Sequence, residues 1–524
     1  MNIKTIVNLS IIGIIKSKET SNIKVKKLPA VLKLRIRDSS ARDELVSSIS
    51  GQSKYGSKPS TNLRALRLAL TLSDQLLSMG VPITSVVTRA MDITDAYCRQ
   101  PVHIDVVSNV LIMSQLKSLE EEPLTLIRTI NTRSVNNMTI QLLQDLAYNI
   151  KQDGISLNEA EKRLYNILRA PIVYPKWASS LANSLIASGV VMLFSTNWRL
   201  IVVTFLIVWL TNLVDSYLNR NQFAAFFRYA LVASLVTLSA ALLNWLAVNG
   251  FVFFKDMNPT IIIIGGIVML LSGLAFVGAI QDAIEEYYVT ANARIMQVLL
   301  LTGSIVLGVL IGMYLARKLG IGIAISPDPL VYSPPIFQIL AGIVTAGAFA
   351  LKTQTRLRAI IWASILGAIS AITVYYIKQT GMSVVAAVGI TALIVGYIAK
   401  KYSRMWRTPT SSASNAAIVP LVPGLAIYTA LMQLVHYPPG DPSFYRGLGT
   451  AFTAIAIAVA IASGSTLGNL IARSPDQRRA SLRNLLPLSS FNGHYINKLR
   501  GGKLMSLILN EDIHKKSDDN LPKS

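Results

Sequence analysis

Two stretches of this chain set chemically capable residues into apolar surroundings. The first reads Gln281-Asp282-Ala283-Ile284-Glu285-Glu286 and runs on through Thr290 and Asn292 to Arg294. Asp282 follows a long apolar run, and an ionisable group at the edge of hydrocarbon is costly enough to mark a functional position. A carboxylate held there can exchange protons. Arg294, where the next apolar run starts, can keep it charged or bind the carboxylate of a solute. The second stretch reads Pro420-Leu421-Val422-Pro423-Gly424, with Tyr428 one turn further on. Its two prolines remove amide donors and interrupt a helix. A broken membrane helix exposes backbone groups that bind amino or carboxylate groups, and Tyr428 can hydrogen-bond a ligand or simply pack. The plainer readings are a solvated loop for the first stretch and a packing kink for the second.

A duplicated phrase links the two. Gly273-Leu274-Ala275-Phe276 recurs as Gly424-Leu425-Ala426-Ile427. Gly303-Ser304 with Leu307-Gly308 and Leu310-Ile311 is echoed, with one gap, by Gly464-Ser465 with Leu467-Gly468 and Leu470-Ile471. Internal duplication in apolar sequence marks secondary transporters, whose sites form where the repeats meet. Apolar runs predict about ten spans of roughly 20 residues each, at 177–196, 199–216, 225–248, 259–281, 294–316, 334–352, 358–377, 382–400, 415–436 and 447–472. Backbone groups in lipid must bond internally, so these are helices. Five spans per repeat is an odd number, so the second repeat must be inverted. The expected fold is thus a polytopic α-helical membrane protein with two five-helix inverted repeats, about 177–316 and 334–472, forming a transport domain over 177–472. Gly303, Gly308, Gly312, Gly389, Gly464 and Gly468 are expected to let its helices approach closely.

Outside the apolar half, residues 1–60 read as a basic, mostly disordered arm and 473–524 as a basic tail. Residues 61–170 read as a small α/β domain, with helices at 61–79, 83–98, 137–152 and 157–169 and strands at 103–114 and 124–133. Asp74, Ser78, His103, Asp105 and Asn109 stand out in it. His103 and Asp105 flank Ile104 and share one strand face, which could be half of a hydrolase or metal site. No G-x-S-x-G, H-E-x-x-H or P-loop accompanies them, and a polar face touching another domain fits better.

Charged residues make up 15% of the 524, against about a quarter in soluble proteins. The net charge of +23 comes from Lys and Arg in the tails and in short loops between apolar runs. That pattern fits loops retained in the cytoplasm, with both termini there, and not a basic face that reads nucleic acid. Cys98 is the only cysteine, which excludes an intrachain disulfide and a multi-cysteine metal site. Neither metal nor cofactor is expected.

Four segments, in order, resemble the bacterial threonine/serine exporter family. They are Leu72-Ser73-Asp74-Gln75-Leu76-Leu77-Ser78-Met79-Gly80, His103-Ile104-Asp105-Val106-Val107-Ser108-Asn109, the run from Gln281-Asp282 to Thr290 and Arg294, and Pro420 through Tyr428. The resemblance covers about 64–473; Glu285-Glu286 stand where the family pattern is smaller and less charged. It implies a carrier rather than an enzyme, with ten spans and a cytoplasmic N-terminal domain, in the bacterial inner membrane. It implies efflux of L-threonine and L-serine driven by the proton motive force. The partners expected are a small amino acid, protons and the lipid bilayer, with self-association left open. Asp282 is expected to couple the proton, and a zwitterion is expected at the midplane between the broken backbone and Arg294 or Tyr428. The alternatives are an exporter or channel for another small metabolite, or a membrane-anchored hydrolase acting through the N-terminal domain.

Overall fold

The computed structural model describes residues 60–472 except 99, 116–121, 132, 171–173, 255–256, 272, 322–331 and 407–408. The basic arm and the basic tail lie outside the described residues. The first part of the fold comprises α1 (Thr61–Ser78), α2 (Ile83–Tyr97), β1 (Val102–Val107), β2 (Val110–Gln115), β3 (Leu124–Thr129), α3 (Asn137–Asp153) and α4 (Leu157–Arg169). Ser60, Asn136 and Ser156 start α1, α3 and α4 by accepting backbone amides with their side chains. Helix α1 is buried from Ala65 to Ser78 apart from Arg67, because α2, α4 and the sheet pack around it. An Arg64–Glu161 ion pair of 2.5 Å ties it to α4.

The sheet corrects one expectation. The apolar run His103–Ser114 is not one strand but a hairpin, reversed at Ser108-Asn109 with Val107 paired to Val110. Ser108 has a φ of 55°, as a tight two-residue hairpin turn requires. Asn109 therefore lies in a turn, and β2 rather than β1 is central in the order β1-β2-β3. The turn lacks a glycine and is flanked by β-branched residues on both sides, so nothing in its composition interrupts the strand pattern. Strand β3 ends at Thr129, short of Arg133.

The apolar half follows as α5 (Lys176–Met192), α6 (Trp198–Arg220), α7 (Ala225–Val248), α8 (Pro259–Ile267), α9 (Gly273–Ile284), α10 (Tyr288–Lys318), α11 (Pro335–Lys352), α12 (Leu357–Gln379), α13 (Val384–Trp406), α14 (Thr410–Ile418), α15 (Gly424–His436) and α16 (Pro442–Ile471). Among the described residues, 8 helical segments are long and apolar enough to cross a membrane; Trp177–Met192 and Gly273–Ile284 are shorter apolar helices. The protein is thus a polytopic helical membrane protein. The run at 259–281, expected to be one helix, is broken into α8 and α9 by a turn at 268–270. No proline marks this break; Gly265, Gly266 and Gly273 merely weaken the helix around it.

The duplicated phrases each supply a glycine at a close helix crossing, Gly308 and Gly468. Helix α7 packs along α10, and α13 packs along α16. A methyl group at Gly308 would collide with the Ala230 carbonyl, and one at Gly468 with the Leu393 carbonyl. Gly312, Gly389 and Gly464 make further close approaches, whereas Gly303 faces open space and has no such duty. Overpacking at these crossings costs about 1–3 kcal/mol. Gly308→Val and Gly468→Val should each lower the thermal midpoint of the detergent-solubilised protein, while Gly303→Ala leaves it unchanged; fluorescence-detected thermal unfolding reads both.

Candidate substrate cavity and charge pair

Both copies of the Gly-Leu-Ala phrase begin the second half of a broken helix. Helix α8 has 9 residues and α9 has 12. Helix α14 has 9, a 3-10 turn covers Val419–Leu421, and α15 has 13. Pro420 and Pro423 account for the second break, since neither can donate to the ladder. The two breaks touch. A Cβ on Gly273 would lie 3.0 Å from the Gly424 amide nitrogen, and one on Gly424 would lie 3.5 Å from the Gly273 Cα. The N-termini of α9 and α15 therefore abut. Pro423 caps α15 without any side-chain bond to its free amides. Each helix start carries roughly half a positive charge, so this junction favours an anion.

A cavity of about 920 Å³ adjoins the junction, walled by helices from both halves. Pro420, Pro423 and Tyr428 line it, and Gly424 sits between lining neighbours. Arg317, Lys378 and Arg446 line it as well, and its described lining holds no carboxylate. Arg317 and Lys378 occupy the last turns of α10 and α12. Those helices start beside the α/β domain, so the cations mark the opposite end. The Lys378 ammonium lies 4.3 Å from the centre of the Tyr332 ring.

Asp282 and Arg294 form a separate site. Asp282, on α9, is 1% exposed, and its Oδ2 lies 2.6 Å from Arg294 Nη1 on α10. Gly278, one turn earlier, lies beside that guanidinium. Gln281 is half-buried beside the pair. Thr290 is buried, and its hydroxyl accepts the Ser108 amide at 3.1 Å. Glu285 accepts the Thr84 hydroxyl at 2.8 Å. The β1-β2 turn and α2 are thereby held over the α9–α10 loop. Asn137 fastens the domain to the α11–α12 loop, its side chain donating to the Thr353 and Thr355 hydroxyls at 2.8 and 3.0 Å. Gln281, Asp282, Thr290 and Arg294 are not among the residues that line the cavity. Of the two residues expected to meet a solute beside the broken backbone, Tyr428 lines the cavity, whereas Arg294 faces Asp282.

The remaining motif residues do structural work. Asp74 is buried with its Oδ2 3.5 Å from Arg128 Nε. Burial pushes its carboxyl above the ordinary range, and Arg128 and Arg133 pull it partly back. Ser78 donates its hydroxyl to the Gln75 carbonyl at 2.9 Å, and its backbone carbonyl accepts the Arg133 amide at 2.8 Å. Gly80, at φ 82°, turns the chain after α1. His103 and Asp105 are exposed on the outer face of the hairpin, where Asp105 accepts its neighbour's amide, from Val106, at 2.7 Å. Ser114, opposite His103, shares a 2.8 Å bond with Thr125 instead. An open strand face of this kind neither excludes water nor encloses a substrate. Burial pushes the Cys98 thiol up to about 11, which leaves it protonated and inert at neutral pH. Ser370, Gln433 and the three cavity cations escaped the sequence reading. The isolated Gln433 within the apolar run after Gly424 is the one signal that could have found them.

These features define a multi-pass helical membrane protein with an internal cavity shared by two halves. A family model described as "Putative threonine/serine exporter" matches residues 67–316, and one described as "Threonine/Serine exporter, ThrE" matches 338–471. Between them they take in most of the chain, and the chain belongs to the threonine/serine exporter family, whose members are transporters rather than enzymes. It is 28% identical over 416 residues to the "Probable threonine/serine exporter" of Mycobacterium tuberculosis (strain ATCC 25618 / H37Rv), covering 78% of this chain and 76% of that one. It is 28% identical over 414 residues to the "Threonine/serine exporter" of Corynebacterium glutamicum, covering 78% and 82%. No solved structure matches the chain.

Asn137→Ala removes two buried hydrogen bonds between the α/β domain and the membrane helices, a loss of about 1–3 kcal/mol. Amide exchange in the 353–357 loop and at the start of α10 should accelerate in that variant, as hydrogen–deuterium mass spectrometry would record.

Proposed function

We propose that the protein is a secondary carrier exporting small amino acids, L-threonine and L-serine foremost, driven by the proton motive force. The observation that carries this is the meeting of two half-helix N-termini, at Gly273 and Gly424, beside a cavity walled by both halves. A zwitterion suits that junction. Its carboxylate answers the uncapped amides of α15 and the surplus cations Arg317, Lys378 and Arg446, while carbonyls freed at the break suit its ammonium. The names of the relatives supply threonine and serine as cargo.

Taking α8–α9 and α14–α15 as one span each, the membrane domain over 177–472 has ten spans in two inverted repeats of five. The matched packing of α7 on α10 and of α13 on α16 supports this, as does the break in the fourth span of each repeat. The family models also divide between 316 and 338, at the proposed repeat boundary. Arg220, Arg228, Lys352, Arg356 and Arg358 gather at the helix ends nearest the 61–170 domain. Positive loops stay inside, so that domain and both termini are cytoplasmic, the membrane is the bacterial inner membrane, and the cavity faces outward.

Asp282 couples the proton. Ionised, it holds Arg294 and pins the end of α9 to α10 beneath the α/β domain. A proton taken up by Asp282 removes the negative charge, frees Arg294 and lets the cytoplasmic ends part, so that cargo enters as the proton leaves inward. The test is purified protein in vesicles loaded with labelled threonine under an imposed pH gradient. Uphill efflux that collapses with a protonophore is expected, and Asp282→Asn should abolish it while the protein stays monodisperse. Undiminished uphill efflux in Asp282→Asn would sink the coupling role, and purely downhill flux in the wild type would indicate a channel.

A further inference from the structure

Hydroxyl groups on membrane helices ordinarily bond back to a carbonyl of their own helix, one turn earlier. Three of those around the cavity do so: Thr429 bonds Leu425, Thr450 bonds Arg446 and Thr453 bonds Gly449. Three polar atoms do not. Ser370 Oγ, Tyr428 Oη and Gln433 Oε1 are buried and have no hydrogen-bond partner among the described residues. Their residues are only 1%, 5% and 9% exposed, and all three line the cavity. The neighbouring Thr373 does bond its own helix, at Ile369, so the helix does not forbid what Ser370 leaves undone. Buried polar atoms without partners are rare, and here they share one chamber with an otherwise largely apolar wall.

The three atoms have complementary capacities. Gln433 Oε1 only accepts, whereas the Tyr428 and Ser370 hydroxyls both donate and accept. A ligand that completes them must both donate and accept, which a hydroxyl does and a methyl group does not. We propose that Ser370, Tyr428 and Gln433 read the side-chain hydroxyl of the cargo, an assignment that rests on the amino-acid export reading above. Threonine would donate its hydroxyl to Gln433 and accept from Tyr428 or Ser370. Valine has the same shape but would leave all three atoms buried and unpaired. A site built in this way rejects the analogue that lacks the hydroxyl far more strongly than an apolar pocket rejects a misfit of one methyl group. The charged rim and the helix junction recognise only the parts that all amino acids share, so side-chain selection falls to these residues.

The experiment uses the full chain reconstituted in vesicles, loaded separately with labelled threonine, valine, serine and alanine. The wild type should carry threonine over valine by about ten-thousandfold, with a parallel preference for serine over alanine. Tyr428→Phe and Gln433→Leu should bring the threonine-to-valine ratio toward about one, by slowing threonine and admitting valine. Ser370→Ala should lower it in part. Wild-type protein that carries threonine and valine alike overturns this proposal and leaves the export reading standing. Export of neither threonine nor serine overturns both. An unchanged ratio in all three variants overturns the assignment to these residues. The wild-type ratio needs no variant, so it decides the matter even where a substitution prevents folding.

Discussion

Where Gly273 meets Gly424, two main chains come into van der Waals contact because neither residue has a side chain to hold them apart. Much of the membrane fold is arranged around that approach. It requires both helices to break at the same depth, since an intact helix would present side chains there. It also sets two positive helix ends against each other, which is tolerable only where an anion or an aqueous chamber lies alongside. The breaks interlock the halves as well. Phe276 and Val277 of α9 join an apolar cluster built largely from the second half, with Trp362, Leu366 and Val388. Tyr428 of α15 joins the cluster of the first half, with Ile305, Val306 and Val309. Each half lends its broken helix to the other's core, so neither has a complete core alone.

The same geometry separates the Asp282–Arg294 pair from the cavity while joining the two through one helix. Helix α9 starts at the junction beside the cavity and reaches Asp282 near its other end, beneath the α/β domain. Twelve residues of helix span about 18 Å and bend little over that length. One short rod thus joins the Asp282–Arg294 pair to Gly273 and the break in α14–α15. The α/β domain bears on that rod's outer end through Ser108, Thr84 and Asn137. Its part-buried ion pairs, Asp74 with Arg128 and Arg64 with Glu161, tie its own elements together.

Helix starts and stops were legible wherever a local cause exists. Gly80 and Pro82 end α1, Gly154 separates α3 from α4, and Pro420 with Pro423 breaks the ninth apolar run. The Asp282–Arg294 pairing could be anticipated because the residues flank one short loop. The hairpin turn at Ser108-Asn109 could not, because β-branched residues run up to both sides of it. The break between α8 and α9 was hidden for a related reason. Glycines in membrane helices commonly serve packing, and sequence alone does not distinguish a glycine that admits a neighbour from one at which the helix stops. Gly303 errs the other way, small by composition and yet packed against nothing.

By itself, then, the sequence determined the class of the molecule: the apolar runs require helices in lipid, the prolines require a break, and an acid near hydrocarbon requires a partner. Those are local or solvation constraints, set by each residue and its near neighbours along the chain. Which groups share a site was decided only in the tertiary structure. Arg294 and Tyr428 are both capable of holding a zwitterion, but Arg294 turns to Asp282 and Tyr428 to a chamber it shares with Ser370 and Gln433. That choice depends on how the two broken helices cross, a contact between residues some 150 positions apart in sequence. No local pattern encodes it, because the approach depends on what two distant glycines lack rather than on any side chain they carry.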